Sequence, residues 1–162
     1  MIFELTKADF APMAQFPLAW RWTDPGRITP MEVSADAIAE IAPLTPEAAT
    51  RAHAHAAYLL RPPKRTAFTE VADFDVGRIG RQSLAAEAEV RTWLTQHLGD
   101  ETGRLVISWS AAWAATTTVA NFIALWPTFC YPVEDIVIWP THERWLLLFD
   151  YKQRFYLERM LG

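Results

Sequence analysis

Apolar and polar positions alternate differently in the two halves of the chain. Residues 1–81 hold most of the prolines and predict short helices joined by loops. The clearest of these is "TPEAATRAHAHAAYLL". Thr45 suits an N-cap, Pro46 the first helical position and Glu47 the positive end of the helix dipole, and Pro62 and Pro63 supply a stop. "SADAIAEIA" predicts a shorter helix from Ser34, ended by Pro43, and "TAFTEVADFDVGRIGR" fits either an edge strand or an ordered loop. From Gln82 to Leu98, Ala86, Val90, Trp93, Leu94 and His97 mark one buried helical stripe, stopped by Gly99. "LVISW" (Leu105–Trp109) predicts a strand. Ala111 to Trp126 predicts a helix with Val119, Phe122, Ile123 and Trp126 on one face and Pro127 just beyond, although three successive threonines lower its propensity.

The C-terminal segments "DIVIW", "RWLLLFD" and "RFYLERM" predict an antiparallel meander. With Pro140–Arg144 as the first loop, Trp139 opposes Trp145, Val137 opposes Leu147 and Asp135 opposes Phe149. With Tyr151–Gln153 as the second, Asp150 meets Arg154, Phe149 meets Phe155 and Leu147 meets Leu157. Trp145 then faces Arg159, a candidate cation–π pair. "WLLLF" is apolar on both faces, as a covered central strand is. The last strand alternates Phe155 and Leu157 with Arg154, Tyr156 and Glu158, as a half-exposed strand does. The expected fold class is α+β: a mostly antiparallel sheet combining a meander at about 135–159 with a strand near 105–109, helices packed on it. No repeat or low-complexity segment divides the chain, so residues 1–162 read as one domain, with a helix- and loop-rich part (1–81) preceding the helix–strand–helix and meander (82–162).

Composition narrows the partners. A chain of 162 residues with net charge −4 lacks the basic footprint needed to displace counterions from phosphates, which argues against nucleic acid. "RPPKR" (Arg61–Arg65) reads as a solvated loop facing Glu70, Asp73 and Asp75. No Asp, Glu, Lys or Arg occurs from Leu105 to Val133, long enough for the ~20 residues of a membrane helix. Ser108, Ser110, Thr116, Thr117, Thr118, Asn121 and Pro127 interrupt it, and mean hydropathy is only +0.02, so a buried strand and helix are expected there and no membrane partner. Cys130 is the single cysteine and the N-terminus has no basic-then-apolar leader pattern. Both features lead to the expectation of a cytoplasmic protein.

Candidate chemistry is sparse. In "WPTHERW" His142 and Glu143 fall at a hairpin tip, where exposed polar residues normally sit, and Leu146 stands where a zinc helix would need its second histidine. Cys130 in "TFCYP" could act as a nucleophile with His142 as base, but a lone cysteine more often packs as a small hydrophobe. His53 and His55 point about 200° apart on a helix and so cannot share a metal. His97 reads as a structural histidine. Glu134 and Asp135 enter a strand pointing to opposite faces, and "GRIGR" lacks the ending of a phosphate loop. No catalytic residue, metal site or cofactor is therefore assigned.

Tryptophan stands out, with eight residues. Trp93 and Trp109 suit the core. "LAWRW" reads as extended, placing Trp20 and Trp22 on one side and Arg21 opposite, so Trp20 and Trp22 are the candidate partner-binding residues. Ser108-Trp109, Trp126, "FCYPVED" (Phe129–Asp135), Trp145 in a strand and Phe155 across a tight turn make the last third of the chain resemble small stand-alone bacterial proteins of unassigned function. In size and acidity these are similar to immunity proteins that neutralise toxins. The resemblance carries no catalytic residue over; with every catalytic signature lacking a member and tryptophan in surplus, the leading expectation is a non-catalytic cytoplasmic protein-binding module of immunity-like character. The alternatives are a small hydrolase or transferase using Cys130 or His142, or a structural homodimer.

Overall fold

The structure, a computed structural model, describes residues 2–24, 31–61, 70–73, 84–131 and 134–159, with 70–73 and 84–86 described by backbone alone. Its helices are α1 (Trp20–Thr23), α2 (Ala35–Ala39), α3 (Pro46–Leu59), α4 (Leu84–Leu98) and α5 (Val119–Phe129). The strands are β1 (Ala42–Pro43), β2 (Glu70–Asp73), β3 (Arg104–Ser108), β4 (Ala114–Thr118), β5 (Ile136–Pro140), β6 (Trp145–Phe149) and β7 (Arg154–Arg159). They form one seven-stranded sheet in the order β1-β4-β3-β5-β6-β7-β2, antiparallel at every pairing. The fold is α+β, with the expected C-terminal meander β5-β6-β7 at its centre. Residues 62–69 and 74–83, which carry most of the "RPPKR" loop, its prolines and the "GRIGR" segment, lie outside the described residues.

Successive side chains of a strand point to opposite faces, and here both faces are covered. Leu105, Ile107, Ile138, Trp145, Leu147, Phe149 and Phe155 form one core with Val90, Leu94 and Leu98 of α4 and Phe122 and Trp126 of α5. On the other face, Val106, Ala114, Trp139 and Leu146 meet Ala48, Ala52, Ala56 and Leu59 of α3. Alanine at the contact positions lets the α3 backbone lie close to the sheet.

Where neighbouring residues decide the geometry, expectation and structure agree. Thr45 accepts from Ala48 N–H (3.2 Å), Pro46 opens α3, and Ser34 caps α2 through Ala37 N–H (3.1 Å). The β6–β7 register has Phe149 opposite Phe155, Leu147 opposite Leu157 and Trp145 opposite Arg159, with Asp150 paired to Arg154 at 3.1 Å. The Arg159 guanidinium, however, reaches the His97 carbonyl (2.9 Å) and Glu101 (3.7 Å), while Trp145 is fully buried.

Other expectations need correction. Ala111–Trp126 is not one helix: Ala114–Thr118 is β4, paired with β3 and β1. Three β-branched threonines favour the strand, and Thr118 then caps α5 by accepting from Asn121 N–H at 3.1 Å. Pro127 lies within α5, whose backbone departs from helical values at Leu125 (φ −114°, ψ 19°). The first hairpin is shifted by one residue, pairing Ile136 with Phe149, Val137 with Leu148 and Ile138 with Leu147. Pro140 stays in β5 opposite Leu105, and the turn closes as Glu143 N–H donates to the Pro140 carbonyl (2.9 Å). Such a slip sends every side chain to the other face, so Trp139 and Trp145 are not partners. Glu158 is buried, not exposed, and β7 is an interior strand because β2 pairs with it. Among the described residues no helix is long and apolar enough to cross a membrane, and the charge-free run forms β3, β4 and α5.

Candidate functional site

Helical periodicity places His55 on the same stripe as Ala48, Ala52 and Leu59, so the ring enters the α3–sheet interface. It lies 5.8 Å from the Trp139 ring, and Nε2 meets Glu143 Oε1 at 2.6 Å. The two side chains are only 4% and 11% exposed. Glu143 adopts φ 58°, a left-handed conformation that is uncommon outside glycine, and this turn aims its carboxylate inward. The same oxygen accepts a hydrogen bond from Phe3 N–H at 2.7 Å. Glu143 is therefore not part of an exposed tip. It ties the N-terminal segment to α3 across separations of 140 and 88 residues.

That segment runs over α3 as a strap. The Phe3 ring lies 5.3 Å from His55 and edge-on to Trp139 at 5.9 Å. Further along, Asp9 receives the Arg51 guanidinium, while Thr6 N–H donates to Asp9 Oδ2 at 2.8 Å. The Thr6 hydrogen bond, then the Arg51 contact, hold the Asp9 carboxyl below its ordinary value. Phe10 bridges to Leu44, and Ala11 N–H donates to the Pro43 carbonyl (2.9 Å), which fastens the strap beside β1. Between strap and helix lies a cleft of about 620 Å³, with Ile2, Phe3 and Tyr58 as apolar lining and Glu4, Asp9 and Arg51 as charged lining.

An ion pair built on a buried arginine lies on the opposite side of the sheet. Arg21 is bidentate to Glu134, Nη1 to Oε1 at 3.0 Å and Nη2 to Oε2 at 2.6 Å, and Nη1 also donates to the Phe129 carbonyl (3.3 Å). Its guanidinium lies 4.0 Å from the Tyr131 ring centre and 5.8 Å from those of Trp20 and Trp109. Glu134 also accepts from Tyr131 N–H (3.0 Å). The arrangement clamps α1 to the end of α5.

The sequence-derived candidates separate accordingly. "LAWRW" is not extended; it enters helix α1, so Trp20 and Trp22 do not share a free side. Trp22 is 1% exposed, stacks on Phe16 and donates to Thr128 Oγ1 (2.9 Å). It therefore offers no surface to a partner. Trp20 is half-buried, edge-on to Tyr131 at 5.6 Å. Cys130 is fully buried, and desolvation, with the Glu134 charge beside it, pushes its thiol well above the ordinary value against the opposing charge of Arg21. His142 stays exposed and pairs with Glu101 at 3.1 Å. His53 is exposed, and Asp135 accepts from Tyr151 N–H (2.9 Å). His97 is half-buried, its ring 4.7 Å from Trp93. No group of three or more His, Cys, Asp or Glu that could hold a metal occurs among the described residues.

Phe3, Asp9, Arg51, Ala54 and Tyr58 are cleft residues that sequence reasoning passed over. One signal pointed to them: a histidine on an otherwise alanine stripe needs a polar partner inside the interface. Comparison of the chain with protein-family models, curated proteins and solved structures finds no match, so the cleft is judged on geometry alone.

Proposed function

We propose that this chain is a non-catalytic module that binds a segment of a partner protein in the cleft between the strap and α3. The carrying observation is the cleft itself. At about 620 Å³ it falls in the size range of ligand sites, and its lining mixes apolar and aromatic surface with a few charged groups. Ile2 is 61% exposed at its rim, apolar surface that a bound segment would cover. The strap wall is pinned by hydrogen bonds at both ends, so the groove is largely pre-formed.

Polar groups with catalytic potential are committed to the architecture. The Cys130 thiol is buried and protonated, His142 is paired with Glu101, and His55 with Glu143. Burial of Cys130 favours the binding reading over a hydrolase or transferase acting through Cys130 or His142. The resemblance of the last third to small stand-alone bacterial proteins, themselves similar in size and acidity to immunity proteins, is the reason for reading the ligand as a protein.

The test is a displayed library of short random peptides selected on the full chain. Binders are then measured against Ala54→Trp, which fills the cleft from an exposed helix position. Binders that weaken at least tenfold on the variant, with its thermal unfolding unchanged, support the reading. Selected peptides indifferent to Ala54→Trp overturn it.

A further inference from the structure

We infer that the cleft receives a basic side chain, lysine or arginine, of its partner; this rests on the cleft being the binding site. Its charges do not cancel. Arg51 is answered by Asp9, and Glu143 by His55 and Phe3 N–H, each within hydrogen-bonding distance. Glu4 lines the same cleft as an exposed carboxylate, with no ion pair among the described residues. An acidic ligand residue would face Glu4 and Asp9 together, whereas a basic one completes the balance.

The molecule already contains the chemistry such a residue would use. The Arg51 guanidinium lies 5.9 Å from the Phe3 ring centre and is closed from the side by the Asp9 carboxylate. A cation over an aromatic face with a carboxylate alongside is favourable in this wall as built. Glu4 supplies a further carboxylate and Tyr58 a further aromatic ring in the same lining, so a ligand ammonium or guanidinium can repeat the arrangement. The aliphatic stem of Lys or Arg would lie along Ile2 and Ala54, the apolar part of the lining. The chain's net charge of −4 adds attraction at long range for a basic segment.

The experiment uses the tightest peptide whose binding depends on Ala54, synthesised with its basic residue as lysine and again as acetyl-lysine. Both are titrated against wild type and Glu4→Lys, each variant first checked for unchanged thermal unfolding. Acetylation should weaken wild-type binding about fivefold or more, the size of an exposed ion pair combined with a cation–π contact. Glu4→Lys should weaken the unmodified peptide to a similar degree and shrink the effect of acetylation. Ala54-dependent peptides that carry no basic residue, or that ignore acetylation, overturn this inference while leaving the cleft as the binding site. Peptides indifferent to Ala54→Trp remove the cleft and this inference together.

Discussion

Two polar pairs, the Arg21–Glu134 ion pair and the hydrogen-bonded His55–Glu143, differ in what surrounds them. Both span large sequence separations, and both join an N-terminal element to the C-terminal half. Arg21 is enclosed by Trp20, Trp109 and Tyr131, and its two terminal nitrogens donate to a bidentate carboxylate and a backbone carbonyl. His55 instead lines an open cleft with Glu143 against it, and one carboxylate oxygen serves both the ring and the strap. A closed pair of this kind holds elements together. A pair at the back of a cleft also shapes a surface that a ligand can reach. What sets the second pair apart is an adjoining concave surface, the default setting of a binding site.

That contrast predicts an order of effects. Arg21→Ala leaves Glu134 partly buried without its cation and should cost about 3–5 kcal/mol in urea unfolding. Trp22→Ala should cost a similar ~3–5 kcal/mol, as expected for a core aromatic and not for an interface anchor. Glu143→Ala strips the acceptor from both His55 and Phe3 N–H. A loss of about 1–3 kcal/mol is expected, with faster amide exchange at Phe3 as the specific signature. If Glu143→Ala is silent on both, the strap is not held as described.

Smaller effects sharpen the picture further from either pair. Partial burial of Asp150 works against its charged form. Hydrogen bonds from Arg154 N–H and Tyr156 O–H, with the Arg154 charge, outweigh it, so its carboxyl lies below the ordinary value. Its stabilisation is therefore present above the usual carboxylate range and is lost as pH falls through the lowered folded value. Asp150→Asn should cost about 1 kcal/mol near neutral pH, and the two stability curves should converge in acid. His142→Ala should change stability by no more than about 0.5 kcal/mol, because its contact with Glu101 is exposed.

Elements governed by local chemistry were legible in the sequence. Thr45-Pro46 sets the start of α3, and the Tyr151–Gln153 turn sets the β6–β7 register, because both are fixed within a few residues. The failures have a common cause in distant partners. The helical periodicity after Val119 is real, but the preceding threonines form a strand because β3 and β1 pair with them. Pro140 stays in β5, opposite β3, which moves the first hairpin by one residue. Glu143 looked like a turn residue because its partners, His55 and Phe3, are remote in sequence. Likewise β7 looked like the last strand of the sheet because nothing local announced that β2 would pair alongside it. The cleft needs two segments far apart to meet, so only its histidine left a trace.

The most direct test of the account compares amide chemical shifts of the labelled full chain with and without a selected peptide. Binding in the cleft predicts perturbations concentrated at residues 2–9 and 51–58, with those around Arg21, Tyr131 and Glu134 unchanged. Perturbations centred on the Arg21 clamp, with the strap and α3 silent, would contradict it.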